Sequence, residues 1–112
     1  MHPDIRPEAG EPVIQKHLPG SFTGTVLQEH LEKRGVEQLV IAGFMTQMCV
    51  DTTARQAAHL GFAVTVLADA TAAMAVKAPD GGVIDAGEVH RTHLGSLSGF
   101  LAHIARVDDL VA

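Results

Sequence analysis

Cys49, the only cysteine of the chain, lies in the run Leu39-Val40-Ile41-Ala42-Gly43-Phe44-Met45-Thr46-Gln47-Met48-Cys49-Val50-Asp51-Thr52-Thr53-Ala54-Arg55. The residue types predict a buried strand, a sharp turn at Gly43, and a helix that begins close to the thiol. In the first turn of a helix, unpaired backbone N–H groups and the positive end of the helix dipole favour thiolate. That is the chemistry of a cysteine nucleophile. The competing reading is a small buried hydrophobe, which free cysteine often is. The strand and glycine turn ahead of the helix favour the reactive thiol. Lys16 ends the first strand candidate, and strand ends on one edge of a parallel sheet converge. Its ammonium could therefore reach and stabilise the thiolate; a solvated lysine is the alternative.

Other chemistry has less support. Of the seven histidines, His90 and His93 stand at i, i+3 on a helical stretch and could share a face, as metal ligands sometimes do. No second ligand pair accompanies them, so helix packing and solvent exposure account for them better; His2 and His17 are isolated. No metal site is expected. Neither G-x-x-x-x-G-K-[ST] nor G-x-G-x-x-G occurs, so no nucleotide cofactor is expected. With 13 acidic against 8 basic residues, the chain lacks the basic footprint of a nucleic-acid binder. No apolar run approaches the ~20 residues that cross a bilayer, and the N-terminus lacks the apolar segment of a signal peptide. A single cysteine cannot form an internal disulfide, which fits a reducing compartment. The expectation is a soluble, cytoplasmic protein acting on a small molecule.

The elements that must position the thiol follow from composition and periodicity. At 112 residues the chain is one small domain or a piece of a larger one. It has four Phe and neither Trp nor Tyr, so Ala, Val, Leu and Ile must build the core. Residues 1–12, with Pro3, Pro7 and Pro12, form an extended lead-in, because proline removes ladder donors. Val13 to His17 reads as a short strand. Thr25 to Arg34 reads as a helix, with Thr25 and Gln28 as a capping box and Gly35 as the stop. Gln38 to Ala42 is a continuous apolar run of the kind buried on both faces of a parallel sheet. A helix from about Thr46 to Leu60 turns Val50, Ala54, Ala57 and Ala58 inward. Phe62 to Ala68 is the next strand, closed by Asp69-Ala70-Thr71. Residues 71–84 read as a loop, with a short helical piece before its tip. Asp85 with Glu88 opens a last helix reaching about Ala105, and Arg106 to Val111 reads as a poor edge strand. Alternation of this kind predicts a mostly parallel sheet between helices.

These residues carry a family resemblance. Gly43 to Val50, followed by Thr52-Thr53-Ala54-Arg55, Ala57 and Gly61-Phe62, resembles the signature of the isochorismatase-like cysteine hydrolases. That family includes isochorismatases, nicotinamidases and carbamoylsarcosine amidases. The likeness continues upstream through Gly10 to Lys16 and Ser21 to Thr25, and downstream through Asp69 to Ala72 and the His90 helix. It covers nearly the whole chain as a single domain.

The resemblance implies a Rossmann-like three-layer α/β/α fold and an Asp–Lys–Cys triad, with Cys49 as nucleophile and Lys16 as the lysine. It implies a cis peptide at Phe44–Met45 and an oxyanion hole from the backbone N–H groups of Met45 and Cys49. It places Phe22, Gln47 and Met48 in the substrate pocket. One departure stands out. The family's triad aspartate ends a Leu/Val-rich first strand, whereas only fifteen residues precede Lys16 here and none forms such a strand. Asp4, flanked by Pro3, does not match. The expectation is an N-terminally truncated member lacking two strands, the general base and any metal ligands carried there. Such a chain would be weakly active or inactive and prone to homo-oligomerise through an unpaired strand edge. A non-catalytic self-associating or partner-binding module is the alternative, and a thiol redox sensor is a third.

Overall fold

Alanines at the spacing of one helical face let a helix lie close to a sheet, and that contact organises the fold. The computed structural model describes residues 2–110. Its main elements are α1 (Leu27–Lys33), β1 (Gln38–Phe44), α2 (Asp51–His59), β2 (Ala63–Ala72), β3 (Val76–Lys77), β4 (Val83–Ile84), α3 (Ala86–Leu97) and β5 (His103–Ala105). Three strands form one parallel sheet in the order β1-β2-β5. Val50, Ala54 and Ala57 from the second helical segment meet Val64 and Val66 of β2 and Leu94 and Leu97 of α3 in one buried cluster. The chain has an α/β fold with a mostly parallel sheet, as its residue order predicts.

The register of the first pair matters for the site. Gln38 to Ile41 align with Ala63 to Val66, but Gly43 then aligns with Thr71. The intervening residues of β2 form a bulge, within which Thr71 Oγ1 donates to the Leu67 carbonyl at 3.1 Å. A bulge bends and twists its strand and re-aims nearby groups. Ala68 lies in this bulge, and its carbonyl is 3.0 Å from His90 Nε2.

Several local expectations are corrected. Val13 to His17 forms no strand: these residues have the right propensity, but they pair with no strand among the described residues. The first helix begins at Leu27 rather than Thr25. Thr25 Oγ1 accepts from the Leu27 N–H at 3.3 Å, while Gln28 reaches forward to Glu32 at 3.0 Å, so no capping box forms. Gly35 does end this helix, at φ 66°, where glycine lacks the steric penalty of other residues.

The strand before the thiol runs on to Phe44, and its residues alternate in exposure instead of being buried on both faces. Val40 and Phe44 remain 54% and 69% exposed, because no described element packs on their side. β2 likewise continues through Asp69-Ala70-Thr71 to Ala72. The segment expected to be a loop with a helical piece contains the small hairpin β3–β4 and no helix.

The last helix stops at Leu97 rather than near Ala105. Gly95, Ser96, Ser98 and Gly99 weaken its end. The chain turns back with Gly99 at φ 84° and leaves Phe100 93% exposed. It then enters β5, where Ile104 pairs with Val66. Val107–Asp109 forms a 3-10 turn in place of the expected edge strand; Val111 lies outside the described residues. The Asp69 carboxylate accepts the Val107 N–H at 2.9 Å and holds this turn against the sheet. No helix among the described residues is long and apolar enough to cross a membrane.

Candidate active site

At the end of β1 the chain leaves the sheet through Gly43, whose φ of 127° suits a residue without Cβ. The Phe44–Met45 peptide is cis. Thr46–Val50 then winds as a single π-helical turn, with the Val50 N–H bonded to the Met45 carbonyl at 3.2 Å, before α2 begins at Asp51. Single π turns of this kind are frequent at functional sites. Cys49 hangs from this turn, half-buried.

Lys16 reaches the thiol. Its Nζ donates to Cys49 Sγ at 3.3 Å and to the Leu18 carbonyl at 3.1 Å. Since Lys16 is on irregular chain, something other than a strand must hold it. The segment just beyond it is fastened to α2. The Ser21 N–H donates to Thr53 Oγ1 at 3.0 Å, the Phe22 N–H to Gln56 Oε1 at 3.4 Å, and Gln56 Nε2 to Thr23 Oγ1 at 2.7 Å. Gly20 is pressed against the same glutamine; a Cβ there would lie 2.4 Å from Gln56 Oε1. Polar residues on one face of α2 thus anchor the loop that delivers the lysine.

Of the remaining expected site residues, Gln47 and Met48 share the Thr46–Val50 turn with Cys49, whereas Phe22 does not. Met48 is 45% exposed beside the turn, and Phe44 stands exposed at the end of β1. Gln47 is half-buried; its Nε2 faces Met45 Sδ at 3.7 Å and its buried Oε1 has no partner among the described residues. Phe22 stacks on Phe62 with ring centroids 6.0 Å apart and packs against the core cluster. No three or more His, Cys, Asp or Glu side chains among the described residues are grouped to hold a metal.

Two further groups brace the Thr46–Val50 turn and are not among the residues the sequence points to. Asp51, 8% exposed, takes Arg55 Nε on Oδ1 at 2.6 Å and His93 Nδ1 on Oδ2 at 2.8 Å. Thr46, fully buried, faces His90 Nδ1 at 2.8 Å, and His90 Nε2 donates to the bulged Ala68 carbonyl at 3.0 Å. The i, i+3 histidine spacing was the available signal, together with the i, i+4 pair of Asp51 and Arg55. The histidines' partners, however, lie 44 and 42 residues away in sequence. Replacing Asp51 by Asn should cost about 1 kcal/mol, since Arg55 is partly solvated and can recover hydration. Urea unfolding read by circular dichroism checks this.

The isochorismatase domain matches residues 1–107, and the chain belongs to the isochorismatase family. The isochorismatase family protein YddQ of Bacillus subtilis is 36% identical over 104 residues, which are 93% of this chain and 57% of that protein. The ureidoacrylate amidohydrolase RutB of Variovorax paradoxus is 30% identical over 108 residues, 96% of this chain and 39% of that one. The crystal structure of an isochorismatase from Pseudomonas putida superposes with a TM-score of 0.92 at 33% identity, covering 96% of this chain and 55% of that one. The chain spans about half the length of the relatives it matches.

Proposed function

We propose that this chain carries the nucleophile half of a cysteine hydrolase acting on a small amide or related substrate. The observation that carries the reading is the 3.3 Å contact between Lys16 Nζ and Cys49 Sγ. An ammonium at that distance stabilises negative charge developing on sulfur. In the reaction, Cys49 Sγ attacks the substrate carbonyl carbon, and the carbonyl oxygen becomes an oxyanion held by the backbone N–H groups of Met45 and Cys49. The leaving nitrogen departs with a proton, giving a thioester that water then cleaves to the acid and the free thiol. In this reading Gln47 and Met48, which share the Thr46–Val50 turn with Cys49, contact the substrate, whereas Phe22, stacked on Phe62 against the core, takes a packing role. Kinship with an amidohydrolase that acts on ureidoacrylate supports an amide-like substrate.

Lys16 is the side chain hydrogen-bonded to the thiol among the described residues, and no carboxylate is bonded to it. Without a general base, proton removal falls to solvent, so the 112-residue chain should turn over slowly. The test is a panel of small carboxamides with product release followed by chromatography and Cys49 followed by intact mass. A mass increment of the acyl group on Cys49 supports the mechanism. Turnover with no acyl-Cys49 at any quench time would sink it.

A second reading, that the chain self-associates, is favoured by the open side of β1. Val40 is 54% exposed, and the outer edge of β1 has no partner among the described residues. An exposed apolar strand edge is a template for pairing. Light scattering should give the mass of a homo-oligomer for the unaltered chain and a monomer for Val40→Lys. A monomer in both cases rejects this reading.

A further inference from the structure

The Thr46–Val50 turn is a π turn, and such a turn has a close competitor. Shifting its hydrogen bond by one residue gives an ordinary α-helical turn and rotates every side chain beyond it. Whatever fixes the start of the turn therefore decides where Cys49 Sγ points. Thr46 is that start, and it is fully buried. Its hydroxyl lies 2.8 Å from His90 Nδ1, and the other ring nitrogen of His90 lies 3.0 Å from the Ala68 carbonyl.

A carbonyl can only accept, which puts a ring proton on Nε2, while Nδ1 faces the Thr46 hydroxyl, a group that can donate or accept. The imidazole is thus held at both ring nitrogens. It ties the first residue of the turn to α3 and to the bulge of β2 at once. One turn further along α3, His93 holds Asp51 just beyond the other end of the turn. Cys49 lies between two points secured from the same helix.

We propose that His90 is a positioning residue: through Thr46 it keeps the π turn in register and so maintains the 3.3 Å contact of Cys49 Sγ with Lys16 Nζ. The proposal rests on reading Cys49 as a nucleophile partnered by Lys16, and it reaches beyond that reading to the group that aligns the two.

The test measures alkylation of Cys49 by iodoacetamide at neutral pH on the full chain, so it needs no turnover. In the otherwise unaltered protein, Lys16→Met is expected to slow alkylation about tenfold, because it removes the cation in contact with the sulfur. In a Thr46→Val background, which keeps the side-chain shape and removes only the hydroxyl, the effect of Lys16→Met should shrink to less than about twofold. His90→Ala should behave likewise, and Thr46→Ser should restore the full lysine effect. A lysine effect undiminished in Thr46→Val overturns the proposal, even if His90→Ala fails to fold. Loss of the lysine effect in Thr46→Ser also overturns it. If Lys16→Met leaves the unaltered chain's alkylation rate unchanged, the Lys16–Cys49 partnership itself falls, and the positioning role with it. Failure of the carboxamide assay while the alkylation pattern holds would reject the hydrolase reading and leave the positioning role standing.

Discussion

Cys49→Ala is expected to reduce turnover of any small amide the chain hydrolyses by at least about 10³-fold, because removing a covalent nucleophile leaves only binding and oxyanion stabilisation. There is no second thiol to take over. Cys49→Ser should be nearly as impaired, since a serine hydroxyl stays protonated where a thiol partly ionises, and Lys16 cannot alone make up that difference. The fold should survive: Cys49 is half-buried and outside the main core cluster, so loss of its sulfur costs on the order of 1 kcal/mol. Initial rates of product release and urea midpoints, taken on the same preparations, separate chemistry from stability. A Cys49→Ala chain retaining a tenth of the rate would show that another group attacks the substrate, and the proposed mechanism would fall.

Much of the frame was legible in the sequence because its signals are local. Small residues at 50, 54 and 57 fit one face of a helix, and all three are buried at 3% exposure or less. The apolar run before Gly43 is a strand, and the turn after it leads into the helix that carries Asp51. What failed depends on partners that the local sequence does not name. Val13 to His17 has strand propensity, but a strand exists only beside another strand. Val40 belongs to a run of the sort buried on both faces, yet burial is decided by what packs there. The end of α3 was misjudged for the opposite reason. Leu97, Phe100, Leu101 and Ile104 keep helical spacing, while Gly99 takes a left-handed φ and the chain gains ladder bonds to β2 instead.

The site was legible in a similarly uneven way. Lys16 Nζ lies 3.3 Å from Cys49 Sγ, and the lysine arrives on a loop anchored by Thr53 and Gln56 rather than on a strand. His90 and His93 were discounted because no second ligand pair accompanied them. A missing ligand pair bears on metal binding and not on hydrogen-bond bridging. A bridge needs only one acceptor and one hydroxyl, and the β2 bulge and Thr46 supply them from distant parts of the chain. Neither the bulge nor the π turn has a sequence signature strong enough to expect in advance.

Leu97→Ala is expected to be the most damaging single truncation in the core, at about 3 kcal/mol. Leu97 is fully buried and among the largest side chains that are. It belongs to the cluster in which Val50 and Ala54, Val64 and Val66, and Leu94 all meet, so it ties α3 to α2 and the sheet. Its carbonyl also accepts the Ala102 N–H at 2.9 Å, where the chain turns back toward β5. The facing residues Ala54 and Ala57 are too small to move into the gap, which should leave a cavity unfilled. A domain of this size has only about 5–15 kcal/mol to lose, and each kcal/mol lowers Tm by roughly 4–8 °C. The expected fall is therefore roughly 12–24 °C by differential scanning calorimetry. Val83→Ala, at a site 77% exposed, should shift Tm by no more than about 3 °C and serves as the control. A loss below about 1 kcal/mol for Leu97→Ala would mean that α3 can settle onto the sheet without this side chain. In that case His90 could not be held rigidly enough to fix the turn that carries Cys49.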